Sequence, residues 1–229
     1  MPSTYLSLTN QVLRRLNEVE ISQSDFGNAR GVQALAKDSV RNSIAKINQT
    51  EFEWPFNAAE HVQVLVQGQT EYSWPTYHKT ADYNSFQIQK DNALSVDYKT
   101  LDFIERDVWY KNYRDLDYSA GNAGRDVPEF VFPSHGNGYG VSPSPDKAYT
   151  VRFRYYLSGV DLNAYDDLAR IPEAYDATIV EGALYYMYMF RDNAEAANIA
   201  ATVFEQGVKE MRTLLINKYE RITDTRIRF

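Results

Sequence analysis

The sequence predicts an α+β fold: a four-helix bundle built from the N- and C-terminal helices, with an antiparallel β-domain inserted between them. Three observations carry this expectation. Apolar residues recur every three or four positions over residues 4–50, the period of a helix. From about residue 61 to residue 157 they alternate instead, the period of a strand. Helical spacing returns after Pro172. Neither helical pair encloses a core alone, so the two pairs are expected to pack together. The divisions implied are 1–51 and 161–219 for the bundle, 52–160 for the β-domain and 220–229 for an extended tail.

The first helix is expected over Thr4 to Glu20, with Leu8, Val12, Leu16 and Val19 on one stripe. The second runs from about Asn28 to Thr50 and buries Val32, Leu35, Val40, Ile44 and Ile47; Ser24 or Asn28 caps it, and Gly27 and Gly31 mark its approach. Pro55 in E-F-E-W-P-F stops helix continuation. Val62, Val64 and Val66 then alternate with His61, Gln63 and Leu65. Gly68 marks a turn before Y-S-W-P, and Phe86–Gln89 is a further alternating run. Leu101 to Trp109 fits either a strand or a short amphipathic helix. Ser119 to Pro145 reads as hairpin strands with glycine-rich tips. Tyr149 to Leu157 is the clearest strand, with Val151, Phe153 and Tyr155 facing one way and Arg152, Arg154 and Tyr156 the other. Pro172 and Glu173 open a third helix with the stripe Tyr175, Ile179, Ala183, Tyr186 and Phe190. A fourth follows Asp192 and Asn193, with Ala196, Ala200, Val203, Met211, Leu214 and Leu215, to about Tyr219.

Composition narrows the function. The 229 residues are 44% hydrophobic and 24% charged, enough for an ordinary core without disulfides or metals. The net charge of −7, with no basic block, argues against gripping nucleic acid or anionic membrane. The chain has no cysteine, which removes disulfides, zinc–thiolate sites and thiol chemistry and suits assembly in a reducing cytoplasm. No secretory leader and no membrane span are expected. Eighteen tyrosines suit surfaces that are wet in one state and covered in another, although core packing also uses tyrosine.

The sequence assigns no catalytic residue, no metal and no cofactor. His61, His78 and His135 are isolated and lack metal-ligand spacing. Asp161, Asn163, Asp166 and Asp167 lack the glycine and distal Glu of a calcium loop and read as an acidic connection between elements. Gly136 to Gly140 lacks the G-K-S/T of a phosphate loop and reads as a hairpin tip. Trp54, Trp74 and Trp109 fit core anchoring better than a sugar platform.

The motif order carries a resemblance. G-Q-T-E-Y-S-W-P (Gly68 to Pro75) precedes V-P-E-F-V-F (Val127 to Phe132) and G-V-S-P-S-P-D-K-A-Y-T-V-R-F-R-Y-Y (Gly140 to Tyr156). I-P-E-A-Y-D-A-T-I-V-E-G-A-L-Y (Ile171 to Tyr185) and an alanine-rich helix follow, and L-T-N-Q-V-L-R-R-L-N-E-V opens the chain. As an ordered set these resemble the head-to-tail adaptor family of tailed phages, also called neck or tail-tube A-type connectors. The resemblance spans nearly the whole chain; Asp97 to Asp117, and the loop Ser119 to Gly140 apart from V-P-E-F-V-F, match no pattern of the family.

The resemblance implies a non-enzymatic virion protein in the neck. It implies a ring, usually of twelve copies, under the portal, whose helical bundle forms the wall around the passing DNA. The β-domain would contact neighbours or the tail nozzle and fibres, and the C-terminal tail the portal. Such a ring needs two different complementary patches per subunit. Tyr185 and Tyr188, on a helix that is aromatic around much of its circumference, are the expected inter-subunit residues, with internal packing as their other use. Arg226, Arg228 and Phe229 are the expected portal contacts, against a solvated chain end. The competing reading is a tail or baseplate module with a carbohydrate-binding β-domain. A cell-wall hydrolase would need a cleft holding a carboxylate of raised pKa.

Overall fold

A computed structural model describes residues 3–89, 97–119, 124–159 and 162–216. In chain order its main elements are α1 (Tyr5–Arg15), α2 (Val32–Thr50), β1 (Ala58–Val64), β2 (Glu71–Ser73), β3 (His78–Ala81), β4 (Gln87–Gln89), β5 (Tyr98–Thr100) and β6 (Asp102–Phe103). There follow α3 (Arg106–Asn112), α4 (Arg114–Asp117), β7 (Arg125–Asp126), β8 (Phe130–Pro133), β9 (Gly138–Ser142), β10 (Ser144–Pro145), β11 (Thr150–Leu157), α5 (Asp176–Phe190) and α6 (Ala194–Leu215). The fold is mixed helix and mainly antiparallel sheet, the α+β class. The chain divides into two compact units, Met1–Phe56 with Gly159–Phe229, and Asn57–Ser158.

In the first unit, Thr4 caps α1 by accepting the Ser7 N–H at 3.2 Å. The helix stops at Arg15, short of Glu20, for a visible reason. Asn17 turns the chain with φ 55°, and the Asn10 side chain both accepts the Ile21 N–H (2.8 Å) and donates to the Ile21 carbonyl (3.0 Å). The chain therefore folds back, and Val19 leaves the apolar stripe to stand 78% exposed. Gly31, at φ 57°, sets the start of α2 four residues later than Asn28, because Phe26–Asn28 forms a separate 3-10 turn.

Helix α5 is the hub of this unit and touches α1, α2 and α6. Its buried face is Ile179, Val180, Ala183, Leu184 and Met187, rotated from the expected stripe; Phe190 is 61% exposed. Gly182 permits the close approach. A Cβ there would lie 2.3 Å from Ser43 Oγ of α2 and 2.7 Å from the Phe204 ring of α6. Ser43 Oγ in turn donates to the Ile179 carbonyl at 2.8 Å. On α6 the buried face is Ala197, Ala200, Val208 and Met211, while Val203 and Leu214 face solvent. Trp54 is fully buried and donates its indole N–H to the Ile47 carbonyl at 2.8 Å, tying the end of α2 to the core as an anchor should.

In the second unit one sheet runs β1–β11–β4–β5, with β3 also paired to β11; a second runs β2–β9–β8–β6, and β7 pairs with β10. The expected alternation of β11 is observed: Val151, Phe153, Tyr155 and Leu157 are buried. They join Phe86, Ile88, Tyr139 and Val141 in a core rich in rings, where Phe86 stacks on Phe153 at 4.3 Å. The ambiguous stretch Leu101–Trp109 resolves as both alternatives in succession, β6 and then α3. Its Trp109 stacks on Phe132 at 4.2 Å. The Phe132 ring covers Gly140, where a Cβ would fall 2.2 Å from Cζ. Strands β8 and β9 form the expected glycine-tipped hairpin around Asn137, at φ 55°.

Candidate interaction surfaces

In the helical unit, the contact surface expected on α5 is only partly solvent-facing. Tyr185 and Tyr188 are half-buried and pack on the core cluster. The more exposed apolar groups are Met189 and Phe190 at the end of α5 and Ile199 and Val203 on α6. Tyr185 and Tyr186 line an open groove with Lys46 of α2 and Phe204 of α6. Partial burial, then the neighbouring Tyr185 hydroxyl, raise the pKa of Tyr186 above the ordinary phenol value. The groove thus mixes aromatic faces with phenolic hydroxyls, a composition found in protein contact surfaces. Arg226, Arg228 and Phe229 lie outside the described residues.

In the β unit two surfaces stand out. On the first, Phe103, Val108, Tyr110, Leu116 and Tyr118 are exposed around α3 and α4. Arg114 lies over Tyr110 at 5.0 Å and near Tyr118 at 5.9 Å. Asp117 fastens this segment to the sheet: it accepts the Trp109 indole N–H at 2.7 Å and the Ser144 N–H at 2.9 Å. The second surface is the outer face of the β1–β11–β4–β5 sheet. Arg152 sits over the Tyr98 ring at 3.7 Å and donates twice to Gln87 Oε1, at 2.9 and 2.7 Å. Beside it Val62 and Val64 of β1 are 58% and 56% exposed. Alternation in V-Q-V-L-V gives the strand but not the buried parity. Leu65, fully buried, decides it, so the valines face out.

The histidines stand on separate elements. His61 packs by Phe153, His78 stacks on Trp74 at 4.2 Å, and His135 is exposed on the β8–β9 turn. Among the described residues no group of three or more His, Asp or Glu could hold a metal ion. The carboxylate of Asp167 accepts the N–H groups of Asn163 (2.6 Å) and Ala164 (2.7 Å), which hold its pKa below the usual carboxylate range. It organises its own loop. Among the described residues no helix is long and apolar enough to cross a membrane.

Each unit thus carries aliphatic and aromatic side chains on its surface, with a stacked arginine among those of the β unit, as in proteins that act through contacts with other proteins. The family comparison makes the class specific. The chain belongs to the SU10 adaptor protein family, whose model matches residues 3–227. It is a phage adaptor, a structural protein of the virion. No curated protein matches the chain.

Proposed function

We propose that the protein is the head-to-tail adaptor of the neck, assembling in the host cytoplasm as a ring between the portal and the tail, usually of twelve copies, and lining the DNA passage. The observation that carries this reading is the match to an adaptor family over residues 3–227. The helices α1, α2, α5 and α6 form a four-helix bundle, residues 1–51 with 161–219, that builds the ring wall. The β-domain, residues 52–160, faces neighbouring adaptors or the tail nozzle and fibres. Tyr185 and Tyr188 contribute to the inter-subunit contact, and Arg226, Arg228 and Phe229 contact the portal. DNA passes without specific binding, in keeping with a net charge of −7.

The test is to mix the purified chain with the portal ring and measure the mass of the product by light scattering, beside a chain ending at Tyr219. A discrete rise from portal to portal plus one ring of adaptors supports the role, and its loss on truncation supports the tail as the tether. A rise kept by the truncated chain discards the tail contacts alone. No association overturns the role.

A further inference from the structure

Among the described residues the β1–β11–β4–β5 sheet has a strand with one unpaired edge at each end, and the two ends match. The Leu65 N–H donates to the Tyr149 carbonyl at 2.7 Å, which extends the β1–β11 register. In an antiparallel pair, residues alternate between pointing their N–H and C=O groups at the partner and away from it. Glu60, Val62 and Val64 therefore present theirs to the outer side of β1. The row ends at Val66, whose N–H is taken by the Tyr72 hydroxyl at 3.0 Å. The Val64 carbonyl accepts from the adjacent Gln63 amide at 3.1 Å, a side-chain cap that an incoming strand can displace.

The other end of the sheet is alike. The Leu101 N–H donates to the Phe86 carbonyl at 2.9 Å, so Tyr98 and Thr100 present their backbone groups to the outer side of β5. Among the described residues β5 pairs only with β4. The pairings also line up across the sheet. Val62, Arg152, Gln87 and Thr100 form one row; Val64, Thr150, Gln89 and Tyr98 form the next. Both open edges thus carry their free backbone groups on residues of the same two rows, with side chains on the same face.

Exposed edges are normally guarded by lysine, proline, bulges or a covering element. Strand β1, A-A-E-H-V-Q-V, has one charge and no proline, and two of its valines are more than half exposed. Each of the pairs β1–β11, β11–β4 and β4–β5 is antiparallel, so β1 and β5 run in opposite directions. A neighbour related by rotation about a ring axis keeps its strand directions. Its β1 beside this β5 is therefore antiparallel and extends the alternation, setting valine against threonine or tyrosine, which are favourable cross-strand pairs.

We infer that neighbouring copies join by strand addition, the outer edge of β1 in one copy pairing antiparallel with the outer edge of β5 in the next. The inference rests on the ring reading above. It identifies the two different complementary patches that a head-to-tail interface requires.

The chain has no cysteine, which makes a direct test clean. Val62→Cys is combined with Thr100→Cys or with Tyr98→Cys, and the full chain is assembled on the portal ring and oxidised. Within one copy β1 and β5 are three strand spacings apart, about 14 Å, too far for a disulfide. Any bridge is therefore between copies. The expected result is a covalent series running past the dimer, with no bridging in any single-cysteine chain. A ring of full mass with no bridging in either pair overturns the strand addition and leaves the adaptor role standing. Bridging by Val62→Cys alone that stops at the dimer overturns it in favour of a symmetric β1–β1 pair. If the unaltered chain makes no ring, both readings fall. A second measurement separates backbone from side chain. Val62→Pro removes an N–H that points away from β11, and it should abolish assembly while the circular dichroism stays native; Val62→Thr should assemble. A folded Val62→Pro chain that still forms the ring is incompatible with the pairing.

Discussion

Asp117 is the residue on which the attachment of α3 and α4 to the β unit depends most. It is 7% exposed and accepts two N–H groups that are themselves buried, from Trp109 (2% exposed) and Ser144 (fully buried). Asp117→Ala leaves both donors without an acceptor. Each orphaned buried donor costs about 1–3 kcal/mol, so the expected loss is roughly 2–5 kcal/mol, the upper end being lowered if water enters the space. Against a typical total of about 5–15 kcal/mol this is a large share. Asp117→Asn keeps one acceptor oxygen but turns an amide donor toward the other N–H, so its loss should be smaller, about 1–3 kcal/mol. Urea unfolding measures the energies. The chain has three Trp, so in a nitrogen–proton correlation spectrum the Trp109 indole is one of three signals and should move in both variants. If both variants unfold within about 0.5 kcal/mol of the parent and the indole signal stays in place, Asp117 does not hold this segment.

Three further outcomes test other parts of the structure. His78 stacks on Trp74, its buried Nε2 has no hydrogen-bond partner among the described residues, and burial lowers its pKa below the ordinary 6.5. The unfolded chain therefore takes up the proton first. Its contribution to stability is complete above pH 6.5, declines as the pH falls through that value and levels off below the folded-state pKa. His78→Phe should flatten this part of the urea-midpoint profile, and an unchanged slope would dismiss the assignment. Met187 of α5 is fully buried, so Met187→Ala should cost about 2–5 kcal/mol in chemical unfolding; less than about 1 kcal/mol would mean that α5 is not the hub of the helical unit. Tyr185→Ala and Tyr188→Ala should weaken assembly on the portal, read as a higher concentration for half-maximal ring formation. The same variants at unchanged ring affinity would return both residues to internal packing.

Much of the helical unit was legible in residue spacing, because a buried helical face must repeat every three or four positions. Leu8, Val12, Val40, Ile44 and Ile47 are all core residues. What spacing could not give was where the first helix ends. That is decided by the Asn10 side chain bonding to Ile21, a contact eleven residues away. In α5, where Tyr185, Tyr186, Met187, Tyr188 and Met189 run together, nearly every face is apolar. The buried side was then set by the Gly182 approach to α2 and α6, which rotates the face away from Phe190. The candidate surfaces were less legible. An alternating strand announces its period, but the exposure of Val62 and Val64 depends on which parity meets Phe153 and Val151 across the ladder. The Arg152–Tyr98 stack joins residues far apart in the chain, whereas Arg114 lies four positions from both Tyr110 and Tyr118, a helical spacing; Asp117 is one of 31 acidic residues, and only its two buried donors mark it out.

Ring closure on the portal is the proposal on which the other readings depend. Native mass spectrometry of the portal–adaptor complex, assembled from the full chain and gently desorbed, counts the copies directly. A closed ring gives one dominant species with a fixed number of adaptors, twelve on a portal of that symmetry, and no ladder of partly filled rings at saturation. A distribution of single adaptors scattered over the portal, or bare portal beside free monomer at any concentration tested, would contradict it.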